Sequence, residues 1–431
     1  MNKNVLALII ASVSVVIATV VLVYMGENDI AIQVGLWFFI IVAFVSAFIL
    51  FRDLADATQF VLETNRELTM WTWFNRKRIL AVSVLSVVAV VGILFLTPSI
   101  LGMMPAAIMG AVWAGLIVAG MIIPAMMMRA RQDNGRFVPI QTAKAHVAPD
   151  ETVVVVEMNG EARAHPDKQL VRPHVAGGKP LGGQDIVMTY CGLTNLGIAV
   201  TPEIEGKRLQ LRPIAQLHNN LILADEESDQ PIQQLWLTME KDVNAGKERR
   251  MKQWPSFRMP FSKFELAYPN GEVFLNDYRT PDTRVSFFKN PFLALFDSFA
   301  NLLFDWVLAQ QQVREKALFP TVTHTDTRLP SKEKVWAVNV DDDYVVYTKA
   351  FVREQGSPIN VTIGGKDVVV AYDERFESLG IYYNNSDSPI TKIDFFGYTS
   401  SGRMPRVETV KAGPYWIVWS HFFKDTEINR I

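Results

Sequence analysis

The only cysteine of the chain, Cys191, lies in the segment Thr189–Thr194 (Thr-Tyr-Cys-Gly-Leu-Thr), at the end of a β-forming run. Histidines lie upstream, at His165 and His174, and downstream, at His218. Thiolate and imidazole are ligands for soft or borderline metals such as copper, zinc or haem iron. We therefore treat Cys191, His174, His165 and His218 as a candidate metal site of unknown cofactor. The alternative is that Cys191 is a small buried side chain at the end of an apolar strand.

The sequence lacks the signatures of the common enzyme classes. We find no nucleophile elbow, phosphate loop, zincin helix or paired catalytic carboxylates, which argues against the common hydrolases, kinases and metalloproteases. A single cysteine excludes an intramolecular disulfide and a Cys-rich zinc site. The net charge of −2 comes without a basic face interleaved with aromatics, so we expect no nucleic-acid partner. The basic cluster Lys247, Arg249, Arg250 and Lys252 is typical of a solvated loop.

The segment around Cys191 recurs later in the chain. An ungapped self-alignment at an offset of 182 residues pairs residues 151–190 with residues 333–372 and gives eight identities. Self-similarity at a fixed spacing indicates a repeated unit, so we predict two tandem copies of one module, at residues 150–280 and 331–431. The identical positions of the first copy are Glu151, Val153, Val156, Gly182, Gly183, Asp185, Val187 and Tyr190. At Cys191 the second copy has Asp373, so only the first copy could hold the metal site.

Each copy is predicted to be mostly β-structure. Val153–Met158 and Glu161–Ala164 flank Asn159-Gly160, the pattern of a hairpin with a type I′ turn, and Asp341-Asp342 take the turn position in the second copy. The soluble region is thus a mostly-β (α+β) fold with little helix. Further runs rich in β-forming residues predict strands; they are Asp185–Tyr190, Leu196–Val200, Leu209–Leu211, Leu221–Leu223, Val273–Leu275 and Trp416–Val418.

A helical connector is predicted between the copies, within residues 281–330. Over Pro291–Phe319, Asp297, Asn301 and Asp305 recur every fourth residue, and apolar side chains fill most other positions. This spacing indicates a helix with a narrow polar stripe. Two arrangements fit it: the helix lies at the bilayer surface or on the transmembrane bundle, or it is a core helix packed between the two modules.

Residues 1–130 are predicted to form a four-helix transmembrane anchor. Four segments reach the ~20 apolar residues needed to cross a bilayer and contain no charged residue; they are Val5–Tyr24, Ile30–Phe51, Ile79–Leu96 and Ala106–Met128. With no ionisable residue inside these segments, a transporter is not expected. The scattered glycines Gly102, Gly110, Gly115 and Gly120 could allow close helix packing.

The charges beside these segments predict their orientation. The connection Arg52–Arg78 carries five basic residues, whereas Gly26–Asp29 and Thr97–Pro105 carry none. Basic residues favour the cytoplasmic side, so the amino terminus and the whole soluble region are predicted to be cytoplasmic. The expected partners are the lipid bilayer of the inner or plasma membrane and a membrane protein or a second copy of this chain.

The motifs resemble those of the domain-of-unknown-function family 3179, a bacterial and archaeal group without an established activity. The similarity covers residues 150–431, and its motifs are clearest in five segments. These are Gly160–Pro166 (Gly-Glu-Ala-Arg-Ala-His-Pro), Pro173-His174, Thr189–Thr194, Leu217–Leu221 (Leu-His-Asn-Asn-Leu) and Leu235-Trp236.

Departures from that family's pattern bear on the candidate site. The resemblance implies a Cys-x-x-Cys pair, but its second position is Thr194, which removes any dithiol redox cycle. The acidic residue after the family's histidine is Val175, and two family tyrosines are His165 and His218, which could convert the site into a Cys-plus-His ligand set. Relatives are often exported, whereas the charges predict a cytoplasmic module.

These observations favour a membrane-anchored binding or accessory protein that presents a duplicated β-rich region to a membrane complex, and we expect it not to be an enzyme. The alternative is a metal-binding or redox protein that uses Cys191 and the nearby histidines.

Overall fold

The computed structural model describes residues 29–61, 65–96, 101–243 and 249–431. The predicted segment Val5–Tyr24 lies outside these residues. The chain divides into two compact units, with the boundary between Met127 and Met128.

The N-terminal unit is helical. Three helical spans in it are long and apolar enough to cross a membrane: Ile32–Leu54, Arg66–Leu96 and Met103–Met127. They correspond to the last three predicted segments, but the middle helix begins at Arg66 rather than Ile79 because the charged stretch before Ile79 is also helical. The elements are α1 (Asp29–Leu54), a 3₁₀ turn (Asp56–Phe60), α2 (Arg66–Leu96), α3 (Met103–Ile117), a π turn (Val118–Ile122) and α4 (Ile123–Met127).

Close packing and polar side chains join these helices. A Cβ added at Gly120 would lie 2.9 Å from the backbone of Leu50, so the π turn and α1 approach as closely as glycine allows. A Cβ added at Gly110 or Gly115 would meet nothing within 4 Å among the described residues, so these two glycines do not serve this purpose there. Ser83 donates to the Ala43 carbonyl at 2.9 Å, which adds a hydrogen bond between α2 and α1.

The C-terminal unit is rich in β-strands, and its first half contains three sheets of four or five strands. Their orders are β15-β3-β4-β16-β2, β1-β5-β6-β7-β14 and β10-β11-β12-β13. The elements are β1 (Ala130–Arg131), β2 (Arg136–Pro139), α5 (Ile140–Ala143), β3 (Thr152–Met158), β4 (Glu161–Pro166), β5 (Val175–Ala176), β6 (Val187–Cys191), β7 (Leu196–Val200), β8 (Glu203–Ile204), β9 (Lys207–Arg208), β10 (Leu211–Leu217), β11 (Asn220–Asp225), β12 (Pro231–Gln233), β13 (Thr238–Met239), α6 (Glu240–Val243), β14 (Gln253–Trp254), β15 (Phe257–Pro260), α7 (Phe261–Ala267) and β16 (Glu272–Leu275).

The connector and the second half follow. The second half has two larger sheets, with the orders β24-β17-β18-β25 and β19-β20-β21. The elements are α8 (Pro291–Val313), β17 (Lys334–Val340), β18 (Asp343–Thr348), α9 (Lys349–Gln355), β19 (Ile359–Ile363), β20 (Lys366–Asp373), β21 (Ser378–Tyr383), β22 (Tyr398–Thr399), β23 (Gly402–Arg403), β24 (Lys411–Tyr415), α10 (Trp416–Phe422) and β25 (Glu427–Ile428).

Most strands lie where the sequence predicts them, and one prediction is wrong. The sequence predicts a strand at Trp416–Val418, but these residues form the first turn of α10. All of Trp416–Ser420 is buried, and a short apolar run buried on all sides has the same pattern in a helix and in a strand. Leu209 also lies outside β10, which begins at Leu211. Strands β1 and β2 precede residue 150 and join sheets of the first half.

The two halves use the same strand pairings at positions 182 residues apart. Hairpin β3–β4 and hairpin β17–β18 have strands of seven and six residues in both cases. In each half an antiparallel strand, β15 or β24, flanks the hairpin on one side, and a parallel strand, β16 or β25, flanks it on the other. The short helices α7 and α10 follow β15 and β24 directly.

A glycine turn beside each hairpin repeats in detail. Gly182 and Gly364 have φ values of 53° and 55°, the left-handed region that favours glycine. Their amides donate to the carboxylates of Glu161 and Asp343, each at 3.0 Å. A Cβ at either glycine would lie 2.4 Å from a backbone oxygen of the neighbouring hairpin.

The connector α8 turns its polar stripe toward the first half. Asn290 caps its N-terminus by accepting from the Leu293 amide, and Pro291 takes the first helical position. Asp297 accepts from Arg172 at 2.8 Å, and Asn301 donates to the Tyr278 carbonyl at 2.9 Å. The opposite, apolar face is exposed, so α8 is not the core helix that one of the two predicted arrangements required.

Candidate functional site

Cys191 is the last residue of β6, and its side chain is fully buried. Its thiol lies 3.3 Å from Gln216 Oε1, 3.7 Å from the Asn219 carbonyl oxygen and 3.5 Å from the Thr194 hydroxyl. Gln216 is in β10, and Asn219 is in the turn between β10 and β11. The motif segments around Cys191 and around residues 217–221 therefore meet at the thiol.

A buried hydrogen-bond network extends from this meeting point. The Thr194 hydroxyl donates to the Asn219 carbonyl at 2.7 Å, and the Asn220 amide donates to Thr194 Oγ1 at 2.9 Å. Asn220 also donates to Gln234 Oε1 at 3.1 Å, and Gln234 donates to Thr189 Oγ1 at 3.1 Å. Buried polar groups that satisfy one another in this way hold strands in one arrangement.

The chemistry of the thiol follows from its burial, which raises the pKa of Cys191. A thiol is nucleophilic and ligates metals as the thiolate, so a buried, neutral thiol is unreactive. Thr194, at the position of the second cysteine in the family pattern, donates a hydrogen bond instead of offering a second sulfur. The surroundings of Cys191 thus favour a packing and hydrogen-bonding role.

Two of the predicted histidines hydrogen-bond to backbone carbonyls. The Nδ1 atom of His165 lies 3.3 Å from the Val154 carbonyl oxygen, and that of His174 lies 3.2 Å from the Tyr190 carbonyl oxygen. Because the acceptor is a carbonyl, each Nδ1 is the donor. Burial lowers the pKa of His165 to about 3 and that of His174 to about 4, so both rings are neutral at pH 7.

The remaining predicted histidine, His218, pairs with the second half of the unit. Its ring centroid lies 4.7 Å from that of His421, and its Nδ1 atom lies 2.5 Å from the Thr321 carbonyl oxygen. His421 Nδ1 accepts from the His324 backbone amide at 3.3 Å. Burial and the neighbouring imidazoles His218 and His324 lower the pKa of His421 to about 4.

The predicted metal site does not form a ligand cluster in the part of the chain that the structure describes. Across residues 29–61, 65–96, 101–243 and 249–431, no three His, Cys, Asp or Glu side chains are arranged to hold a metal ion. Cys191, His165, His174 and His218 each have the separate partners given above. The metal alternative stays a prediction that elemental analysis can test.

The structure instead contains a cleft that the sequence did not predict. It has a volume of about 820 Å³, within the range of small-molecule and peptide sites. Leu235–Thr238 and Arg250–Pro255 of the first half form one side, and residues of the second half, among them Asn339, Arg406 and Lys411, form the other. The cleft therefore lies between the two repeated halves.

Cations dominate the lining of this cleft. Arg250, Lys252, Arg406 and Lys411 are opposed only by Asp242 and Glu408 among the described lining residues. The charge of Asp242 is taken up by Arg249, which donates to it at 2.6 Å.

Lys411 is the most buried of these cations, with 5% of its surface exposed, and it donates to Gln253 Oε1 at 3.1 Å. Burial, followed by the charge of Arg250, lowers the pKa of Lys411 to about 8. An anion in the cleft would favour the charged form of this lysine.

A second buried cation, Arg258, links the halves without lining this cleft. It donates to Asp167 at 2.7 Å and to the Asn195 carbonyl at 2.9 Å in the first half, and to the Ala412 carbonyl at 2.8 Å in the second. Nothing in the sequence around Arg258 distinguishes it from a surface arginine. The cluster at residues 247–252 was the one available signal for the cleft: Arg250 and Lys252 line it, while Lys247 lies outside the described residues.

Comparison with known protein families identifies a match over most of the chain. A model of the family described as protein of unknown function (DUF3179) matches residues 122–426, which is more than half of the 431 residues. Neither a curated protein nor a solved structure matches significantly.

Proposed function

The chain belongs to the DUF3179 family, and we propose that it is a membrane-anchored binding protein without catalytic activity, which presents its β-rich unit to a membrane complex. Three apolar helical spans in the described N-terminal residues support the anchor. The observation that carries the binding role is the cationic cleft between the two halves of the C-terminal unit.

The cleft suits an acidic segment of a partner protein. Lys252 and Arg250 are exposed, so they are available at the mouth, whereas Lys411 is buried deeper. Lys252 lies over the ring of Trp254 at 3.9 Å, and Trp236 and Phe423 also line the cleft, so aromatic surface accompanies the charges. Carboxylates of a partner would pair with the cations while apolar side chains contact the rings.

Co-purification in mild detergent tests this role. The full-length chain and a Lys252→Glu, Arg250→Glu double variant are isolated from the membranes of the native host, and the bound proteins are identified and quantified. Two reversed charges at an exposed site weaken pairing by about 1–2 kcal/mol, so recovery of a genuine partner should fall about tenfold.

Lys366→Glu is the matched control. Lys366 is also an exposed lysine above an aromatic ring, that of Tyr383 at 5.5 Å, but it lies outside the cleft. Partner recovery should stay at the level of the unmodified protein in this variant. Equal recovery from the double variant and the unmodified protein, or equal losses in the double variant and the control, would refute the cleft as the binding site.

The two halves of the C-terminal unit are, we propose, tandem copies of one module. The matching hairpins, the flanking strands β15 and β24, and the glycine turns at Gly182 and Gly364 support this interpretation. The first copy has the additional sheet β10–β13, which supplies Gln216, Asn219 and Asn220 to the network around Cys191. A binding cleft between two copies then results from the duplication itself.

The C-terminal unit is proposed to lie on the cytoplasmic side. The supporting observation is the charge asymmetry of the connections, with five basic residues between Arg52 and Arg78 and no charge between Thr97 and Pro105.

A further inference from the structure

The connector helix α8 carries an exposed apolar stripe, which we call its outer face. Its members lie three, four or seven residues apart, the spacing of one helix face. Phe292 is 67% exposed and Leu302 is 71% exposed, and no member is buried. The outer face consists of Phe292, Leu295, Phe299, Leu302, Trp306 and Val313. A contiguous apolar surface of this kind marks a contact with a membrane or with another protein.

The helix cannot rotate to hide this face, because its polar stripe is fixed to the first module. Besides Asp297 and Asn301, Asp305 accepts from Arg279 at 2.9 Å, and Gln311 donates to the Leu193 carbonyl at 2.5 Å. The ion pair between Arg172 and Asp297 is almost fully buried. These contacts hold the helix from its second turn to its last turn.

The same contacts place α8 close to the point where the C-terminal unit begins. The Arg129 carbonyl accepts from the His174 amide at 3.0 Å, and Arg172, which holds Asp297, is two residues before His174. Arg129 in turn is two residues after Met127, the last residue of the third apolar span. The outer face therefore belongs to the part of the unit that is nearest along the chain to the membrane.

The ends of α8 have the composition of an interfacial helix. Phe288, 97% exposed, and Lys289 precede it, and Arg314 and Lys316 follow it, all of them exposed. Aromatic rings favour the headgroup region, and exposed Lys and Arg residues favour anionic lipid headgroups.

We propose that α8 lies parallel to the bilayer, with its outer face inserted at the boundary between headgroups and acyl chains. It does not cross the bilayer, although its length and composition would suffice, because the buried ion pair and amide contacts of its polar stripe keep it on the module. The membrane would then hold the C-terminal unit at two places, the end of the third span and α8, so the unit would have a fixed orientation.

Spin labelling of the full-length chain tests this arrangement. Cys191→Ala removes the single native thiol, and single cysteines are placed at Phe299, Leu302 and Asp305 on α8, with a control at Glu354. The protein is reconstituted in vesicles of phosphatidylcholine and phosphatidylglycerol, and the accessibility of each nitroxide to oxygen and to a water-soluble nickel chelate is measured. Labels at Phe299 and Leu302 should be open to oxygen and shielded from nickel, whereas those at Asp305 and Glu354 should be open to nickel.

Two results would overturn the proposal. Nickel access at Phe299 and Leu302 equal to that at Glu354 means that the outer face is in water. Shielding from both reagents, together with dipolar coupling between labels, means that the outer face pairs with a second copy of the chain, since its three- and four-residue spacing also suits helix pairing. The Asp305 label reports whether α8 keeps its orientation, because it lies at the edge of the polar stripe.

Discussion

The Cys191 thiol has hydrogen-bonding neighbours on three sides, and each of them is held by a further bond. Gln216 and Asn219 belong to the sheet β10–β13 and its first turn, and Thr194 belongs to the turn after β6. Replacing the thiol by a smaller group leaves a small cavity and takes a hydrogen-bond partner from Thr194, which still donates to the Asn219 carbonyl. The network therefore survives the loss of the sulfur.

Cys191→Ala is expected to lower the free energy of unfolding by about 1 kcal/mol, the cost of a small cavity, and to leave partner recovery unchanged. The measurement is the thermal unfolding midpoint of the full-length protein in detergent, with elemental analysis of the same samples. We expect no stoichiometric copper or zinc in the unmodified protein. Near-stoichiometric metal that disappears in Cys191→Ser would contradict this and restore the Cys/His site.

At the scale of elements, the glycine turns offer a direct test of the duplication. Alanine at Gly182 or at Gly364 would place a Cβ 2.4 Å from a backbone oxygen and would also adopt a positive φ. Each substitution should cost about 1–3 kcal/mol of stability, seen as a lower unfolding midpoint. Similar losses at the two positions are expected if the turns are equivalent parts of one module.

The adjacent glycines are matched controls for that experiment. Gly183 and Gly365 also have positive φ values, 81° and 72°, but a Cβ there meets nothing within 4 Å in the described structure. Alanine at these positions should therefore cost less than at Gly182 or Gly364. A large loss in one half and none in the other would argue that the two turns differ in role and would weaken the case for equivalent modules.

The elements also show what a single sequence can predict. Hairpin β3–β4 was predictable because an Asn-Gly turn separates two runs of β-forming residues, and the polar stripe of α8 was predictable from its four-residue spacing. The helix at Trp416 was missed because its apolar run has no periodicity. The cleft was missed because Lys252 and Lys411 are 159 residues apart and only the pairing of the two halves brings them to one site.

At the scale of the whole molecule, the length of α2 sharpens the predicted topology. Its 31 residues extend over about 46 Å, whereas a hydrocarbon core is about 30 Å thick. The charged end of the helix, with Arg66 and Arg76–Arg78, accordingly protrudes from the core as helix rather than as loop. Basic residues on a protruding helix favour the cytoplasmic side as strongly as those in a short loop, so the predicted orientation is unchanged.

Reporter fusions test this orientation. A fluorescent protein that matures only in the cytoplasm should be active after Ile431, and an alkaline phosphatase that folds only outside should be inactive there and active when inserted at Gly102. Glu354→Cys, exposed on the second module, should react with a membrane-impermeant maleimide only after the cells are opened. Labelling of Glu354→Cys in intact cells would place the C-terminal unit outside. In that case the basic residues beside α8, Lys289 and Arg314, would face the outer leaflet, whereas the cytoplasmic orientation places them against the leaflet whose anionic lipids attract them.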